Sequence, residues 1–282
     1  MEHARLLNAE LSSGGMLDEY QGLCSALERT RYDPELKFEV EAHPPDLVER
    51  VIEQWRARMV LEHRSSTVFS QLAHQLYEAN ASLDAKVVML RMAQDELRHT
   101  ATCAEVIEGL GGESTVPIVA EIQPLARHEG VSPEERALRN VIYTTCCSEM
   151  VACASFVDTL DTIEDPFLRQ AYRRLLADEV LHARFGFFYL EAWQRWLEER
   201  SQVRRSLRRF CTHAFSRFEA ELVPPRSSVR LAAPELGLPE PERVREVFYA
   251  TVEGAIIPGL ERLGIDAEAA WKERRRLDSK EN

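Results

Sequence analysis

The chain has 282 residues, a formal net charge of −12 and 45% hydrophobic residues. This length can bury a large core, and the acidic balance argues against a nucleic-acid or anionic-membrane partner. The N-terminus lacks a cationic segment followed by an apolar core, and no stretch approaches about eighteen uninterrupted apolar residues. The six cysteines show neither CxxC spacing nor a disulfide framework. We therefore expect reduced thiols and a cytoplasmic protein.

The first half of the chain predicts two long helices. Residues 1–45 form a mixed N-terminal extension, with one helix expected around 17–30. A periodic segment runs from Asp46 to about Glu78, and a second helix then continues to the glycine-rich stretch 109–112. Ser82 or Asp84 is expected to cap this second helix. About twenty residues follow before the next helix signal, which indicates a crossover connection.

The second half begins with "SPEER" at 132–136, a helix start with Ser132 as N-cap and Pro133 at the first helical position. Glu135 is expected to complete a capping box. This third helix should end near Ile163, and the turn "EDP" leads into a fourth helix that ends near Glu199. Further helical segments are expected at 202–222 and 241–263.

These elements predict an all-α protein, because the sequence shows no convincing strand alternation. The short loops give two antiparallel helical hairpins, and the long crossover joins them into a ferritin-like four-helix bundle. We expect a single domain over 1–282. Its four-helix core covers about 46–200, the N-terminal extension 1–45, and additional C-terminal helices 201–282.

Each of the four core helices has an apolar seam at alternating steps of three and four residues, and polar side chains interrupt each seam near its middle. The interrupting residues are Glu62 in the first helix, Glu96 and His99 in the second, Glu149 in the third, and Glu179 and His182 in the fourth. A Glu and a His three residues apart lie about 60° apart around a helix and can point at one centre. Glu78 is the alternative to Glu62, but it lies beside the turn and off the seam, so Glu62 is preferred.

One Glu-x-x-His pair in this chain is expected by chance, but two copies in matching helices are not. Each copy also has a lone Glu 30–34 residues upstream. Four carboxylates in a bundle core would each cost several kcal/mol to desolvate, and they would repel one another. Two divalent cations balance this charge, so the six residues are predicted metal ligands. Carboxylates with one imidazole per metal favour two iron ions, with an iron–manganese pair as the alternative.

These six residues resemble the ligand set of the ferritin-like di-iron carboxylate proteins, over about 46–200. The resemblance implies that Glu96 and Glu179 bridge the metals, and that the imidazoles and the lone Glu residues complete the two shells. "DELRH" at 95–99 resembles the Asp-Glu-x-Arg-His of bacterial multicomponent monooxygenases. That resemblance implies that Asp95 supports His182 and that Asp178 supports His99, a surface role for both aspartates being the alternative.

The family resemblance implies an oxygenase that activates O₂ to hydroxylate or N-oxygenate a small organic substrate. It also implies an external electron donor, and secondary metabolism is one setting for such an enzyme. Small seam residues near the ligands are expected to leave room for that substrate: Ser66, Thr145, Ala152 and Gly186. AurF-like arylamine N-oxygenases are similar in size and helix count, although they have a further His where this chain has Leu175. A ferroxidase with iron-handling duty and a non-catalytic helical interaction protein are the alternatives, and a homodimer is left open.

Overall fold

The computed structural model describes residues 4–6, 21–22, 24–25, 33–119, 124–225 and 231–275. These residues are predominantly helical, which confirms the all-α prediction. The helices are α1 (Pro45–Glu78), α2 (Leu83–Gly109), α3 (Pro133–Thr162), α4 (Pro166–Ala192), α5 (Gln194–Glu198), α6 (Ser201–Leu222), α7 (241–262) and α8 (Ala267–Glu273). The helix expected around 17–30 lies mostly outside the described residues.

Two short strands, β1 (Ala4–Leu6) and β2 (Pro117–Val119), form an antiparallel pair in which Ala4 lies opposite Val119. These strands could not be predicted from the sequence, because three residues are too few to show alternation. Short 3₁₀ turns occur at Val40–Ala42 and Pro234–Leu236. Neither the strands nor these turns change the helical character of the described chain.

The start of α3 follows its capping signal only in part. The Ser132 hydroxyl accepts a hydrogen bond from the Glu135 N–H at 3.3 Å, as expected of an N-cap. The Glu135 carboxylate does not return the bond to Ser132, because it accepts from Arg139 Nη2 at 2.6 Å. The capping box is therefore half formed. The fourth helix also ends earlier than expected, since α4 stops at Ala192 and Trp193 separates it from α5.

Helix α3 contains a π-helical segment, Ile142–Glu149, between two α-helical segments. The hydroxyls of Thr144 and Thr145 donate to the carbonyls of Asn140 and Val141, both at 2.7 Å, and thus compete with the backbone ladder. A π-helical turn is wider than an α-helical turn. By length and composition alone α3 is apolar enough to cross a membrane, but 56% of its most apolar stretch is buried inside the protein, which is also typical of a core helix.

The hydrophobic core consists of two clusters with a polar layer between them. On α1, Met59 belongs to one cluster and Phe69 to the other, and Glu62 lies between them in sequence. On α4, Leu175 belongs to the same cluster as Met59 and Phe185 to the same cluster as Phe69, and Glu179 lies between them in sequence. The interruptions seen in the apolar seams are thus a layer of buried polar side chains in the middle of the helices.

Helix α4 approaches the π-helical segment closely at Gly186. A Cβ atom at this position would lie 2.2 Å from Thr145 Oγ1 and 2.9 Å from the backbone nitrogen of Cys146. The expectation that Gly186 and Thr145 leave room for a substrate is therefore wrong. The space is filled by helix–helix contact, which only glycine permits at this distance.

Replacing Gly186 by alanine is expected to lower the free energy of unfolding by about 3 kcal/mol, because the new methyl group must displace backbone as well as side chains. Urea unfolding of the metal-free protein measures this change. Gly254→Ala is the matched control, since a Cβ at Gly254 would meet nothing within 4 Å. Equal stability of the two variants would contradict the close approach.

Candidate metal centre

The structure brings the six predicted ligand residues together in the polar layer. All six are buried. Two groups of four residues each offer ligand atoms that lie within 4.8 Å of one another: Glu62, Glu96, His99 and Glu179 form one group, and Glu96, Glu149, Glu179 and His182 form the other. Glu96 and Glu179 belong to both groups. The cluster is therefore arranged as two adjacent positions that could each hold a metal ion.

Both imidazoles present Nδ1 to the carboxylates of the cluster. His99 Nδ1 lies 3.3 Å from Glu179 Oε1 and 3.5 Å from Glu62 Oε2. His182 Nδ1 lies 3.0 Å from Glu96 Oε1 and 3.9 Å from Glu149 Oε2. Each Glu-x-x-His pair thus reaches the carboxylate of the other pair, and the two ring centroids are 5.9 Å apart.

The outer nitrogen of each imidazole faces an aspartate of the opposite motif. His99 Nε2 lies 3.5 Å from Asp178 Oδ2, and His182 Nε2 lies 3.6 Å from Asp95 Oδ2. This is the pairing that the monooxygenase resemblance implies. A carboxylate behind a ligand imidazole fixes its tautomer and ring orientation, so Nδ1 is left available to a metal.

Two arginines connect the aspartates. Arg91 Nε donates to both carboxylate oxygens of Asp95, at 2.7 and 2.8 Å, and Arg91 Nη2 reaches Asp178 Oδ1 at 3.4 Å. Arg98 Nη2 donates to Asp95 Oδ1 at 3.0 Å and also to Asp178. Two guanidinium groups therefore balance the two aspartates. Of the four glutamates, Glu62 has an arginine nearby, since Arg58 Nη1 lies 3.7 Å from its Oε1.

Burial and mutual repulsion make two of the glutamates weak acids. Burial raises the pKa of Glu62 to about 7, although a hydrogen bond from His99 opposes the shift. Burial and the neighbouring carboxylates of Glu179 and Glu96 raise the pKa of Glu149 well above its usual range. Without metal, protons on these carboxylates reduce the repulsion that cations would otherwise cancel.

The pKa values of the two shared glutamates are lowered, whereas those of the two imidazoles are raised. Burial opposes ionisation of Glu179, but the charge and hydrogen bond of His182 hold its pKa well below the usual range. Burial likewise opposes ionisation of Glu96, and hydrogen bonds from His182 and His99 lower its pKa. Burial would lower the imidazole pKa values, yet Asp178 and Glu179 raise that of His99, and Glu179 and Asp95 raise that of His182. The metal-free cluster therefore holds protons where metals would bind.

The cluster also contains buried polar atoms that have only close, poorly aligned contacts and no well-formed hydrogen bond among the described residues. They include Glu96 Oε1, Glu179 Oε2 and both ring nitrogens of His99 and His182. Buried polar groups in native proteins are nearly always satisfied, so a group of exceptions at one place indicates a ligand. Carboxylate oxygens and imidazole nitrogens together fit iron or manganese.

Sequence reasoning missed three arginines around the centre. Arg91 precedes Asp95 by four residues, and Arg58 precedes Glu62 by the same interval, with its Nη1 3.7 Å from Glu62 Oε1. The Arg58 guanidinium also stacks over Phe156, 4.5 Å from the ring centroid. The spacing of four residues was a usable signal for these pairs. Nothing in one helix alone, however, showed that Arg91 and Arg98 reach Asp178 on α4.

One surface groove is lined by residues that follow Glu149 on α3. It has a volume of about 480 Å³, lies between α3 and α7, and is lined in part by Met150, Cys153, Val157 and Val247. Met150 follows the predicted ligand Glu149 directly. Burial and the charge of Glu179 raise the pKa of the Cys153 thiol, which indicates that this side chain lies within electrostatic reach of the cluster.

No protein-family model, no curated protein and no solved structure matches this chain. The class of site therefore rests on the geometry alone. It is a buried carboxylate–histidine cluster in a helical protein, and it could hold metal ions.

Proposed function

We propose that this protein is a non-haem di-iron oxygenase of the ferritin-like type, built on a four-helix bundle formed by α1 to α4. One observation carries the proposal: two groups of four ligand residues share Glu96 and Glu179. Shared carboxylates hold two metal ions side by side, whereas a single structural ion needs only one group. Carboxylate clusters with a Glu-x-x-His pair on each of two helices are typical of di-iron and di-manganese bundles.

The residues of this centre would have different roles toward the two metal ions. Glu96 and Glu179 would bridge the two ions, Glu62 and His99 would hold one of them, and Glu149 and His182 would hold the other. When bound, the iron pair supplies the redox chemistry that activates O₂, with electrons from an external donor. Asp95 and Asp178 orient the imidazoles, and the apolar clusters on either side exclude bulk water.

The substrate is a small organic molecule, and the groove between α3 and α7 supports this part of the proposal. Its volume of about 480 Å³ is within the range of small-molecule pockets, and it is lined by apolar side chains such as Met150 and Val247 together with charged ones such as Asp158 and Arg243. Met150, on its α3 side, directly follows the predicted ligand Glu149. Hydroxylation and N-oxygenation are both compatible with such a lining.

A ferroxidase is the second candidate function, and the composition of the ligand set favours it equally. The groove and the helices α6 to α8 favour the oxygenase, because iron oxidation alone requires neither of them. Both candidates require the same pair of metal sites.

The deciding experiment is oxygen uptake by the iron-loaded, chemically reduced protein in the presence of ¹⁸O₂ and a panel of small aromatic amines and hydrocarbons. We expect ¹⁸O in an organic product, detected by mass spectrometry, and no product with Glu149→Ala. Rapid oxidation of excess ferrous iron, with no labelled product from any organic compound, would instead support the ferroxidase.

A further inference from the structure

A groove between α4 and α7 is lined by two arginines and by no acidic residue. It has a volume of about 320 Å³. We call it the α4–α7 groove, and its lining includes Met150, Arg184, Phe187, Phe188, Gly254 and Arg262. Four other grooves in the described part of the chain are also lined by arginine, and each of these contains an aspartate or a glutamate as well. The α4–α7 groove is therefore positively charged, although the chain as a whole carries a net charge of −12.

Neither arginine of the α4–α7 groove has a partner among the described residues. Arg184 on α4 and Arg262 on α7 are both exposed, and neither forms an ion pair or a side-chain hydrogen bond there. In another groove, by contrast, Arg243 bonds to Asp158 of the same lining. A guanidinium group offers five N–H donors in a planar fork that matches the geometry of an oxyanion. The two arginines are thus available to an oxyanion of a ligand.

The rest of the groove lining is apolar, and close packing fixes one side of it. Phe187 on α4 packs against α7 at Gly259, where a Cβ atom would lie 2.4 Å from the Phe187 ring. The next residue, Phe188, also lines the groove and is 60% exposed. The groove therefore has an aromatic wall beside its two positive charges, and helix–helix contact holds part of that wall in place.

Small residues of α7 leave the space of the groove open. Gly254 lies in a π-helical segment, Val252–Ile256, and a Cβ atom added at Gly254 would meet nothing within 4 Å. Single π-helical turns inside α-helices occur frequently at functional sites. Because Gly254 lines the groove, a larger side chain at this position would enter the space that a ligand would fill.

We propose that the α4–α7 groove binds a small organic acid, with its anionic group at Arg184 and Arg262 and its apolar part against Phe187 and Phe188. Charge complementarity selects the anionic group, because hydrogen bonds between a guanidinium and an oxyanion are among the strongest in proteins. A cationic ligand would meet like charge, and a neutral one would leave both arginines without a counter-ion. The volume of the groove is at the lower end of the range for small-molecule pockets.

The α4–α7 groove adjoins the groove between α3 and α7, because Met150 and Ala255 line both. Under the proposed function, a bound acid is thus a candidate substrate. The inference itself concerns binding alone and needs neither iron nor O₂. It can therefore hold or fail independently of the oxygenase proposal.

Calorimetric titration of the full chain with octanoate, octyl phosphate and octanamide tests the inference. The three ligands share an alkyl chain and differ in the head group. We expect both anions to bind about tenfold more tightly than the neutral amide, since hydrogen bonds to charged groups are the stronger ones. The tighter of the two anions identifies the head group that the groove prefers.

Variants assign the binding to the groove rather than to the metal centre. Arg184→Gln and Arg262→Gln are each expected to weaken octanoate binding about tenfold and to leave octanamide binding unchanged. Arg173→Gln is the matched control, because Arg173 is also exposed on α4, has no ion pair among the described residues and lies outside the groove. Gly254→Leu is expected to abolish binding of all three ligands, with folding checked by circular dichroism.

Several results would overturn the inference. They are octanamide binding as tightly as octanoate, an equal loss of octanoate binding in Arg173→Gln, and unchanged binding in Gly254→Leu. A wild-type chain that binds none of the three ligands would overturn it as well.

Discussion

Glu96→Ala is expected to remove both metal ions, because Glu96 is one of the two carboxylates that both ligand groups share. Metal content after iron loading should fall from about two ions per chain to well below one. Glu149→Ala should retain about one ion, since Glu149 belongs to only one group. Metal analysis by mass spectrometry of desalted protein measures both changes.

The same variants should lose the stability that metal confers. A ligand present at 100 times its dissociation constant stabilises a folded protein by about 2.7 kcal/mol, and this gain requires an intact site. Glu135→Gln is the matched control, since Glu135 is buried on α3, as Glu149 is, but bonds to Arg139 outside the cluster. Unchanged metal content in Glu96→Ala, or a loss of metal in Glu135→Gln, would contradict the shared-carboxylate arrangement.

The metal-free protein is expected to become less stable as pH rises from about 5 to 8. Burial raises the pKa of Glu62 from its ordinary value of 4.5 to about 7, so ionising it in the folded state costs free energy. The free energy of unfolding therefore falls by about 3 kcal/mol as the pH rises from about 4.5 to about 7. The raised pKa values of His99 and His182 act in the same direction above pH 6.5, because their protons are lost from the folded state.

The lowered pKa values of Glu96 and Glu179 do not cancel this decrease in stability with rising pH. Glu96 and Glu179 contribute stability above about pH 4.5, and that stability is lost only on acidification through their folded pKa values. Urea unfolding with and without Mn²⁺, a probe that needs no reductant, should show a metal-dependent stabilisation that widens with pH. Glu62→Gln should reduce the slope below pH 7. A metal-free protein that gains stability across this range would refute the proposed protonation.

Much of the buried carboxylate–histidine cluster could be predicted from the sequence, because each of its residues interrupts a clear helical period. Glu96 and His99 lie three apart in a seam that is otherwise apolar or small, and so do Glu179 and His182. The helix starts carried chemical signals such as Ser132 and Pro133. These features are local, so one helix at a time was sufficient to read them.

The features that the sequence did not predict depend on contacts between helices. Arg98 on α2 donates a hydrogen bond to Asp178 on α4. The position of each residue within its own helix does not predict this contact. A glycine such as Gly186 can border either a cavity or a neighbouring helix, and its type alone does not distinguish the two. The position of Thr145 shows that a neighbouring helix lies there.

The wide turn of α3 constrains how this chain can change by insertion and deletion. A π-helical turn corresponds to one residue more than the α-helical turn it replaces, and Glu149 is the last residue of that segment. Deleting one residue between Ile142 and Ser148 would let α3 close into regular α-helix without breaking it. The segments on either side would keep nearly the same orientation, because the wide turn already contains the extra residue. The same deletion in the regular α-helical part, Pro133–Val141, would instead rotate one side by about 100°, so Glu149 and the Ser132 end of α3 could no longer both keep their partners.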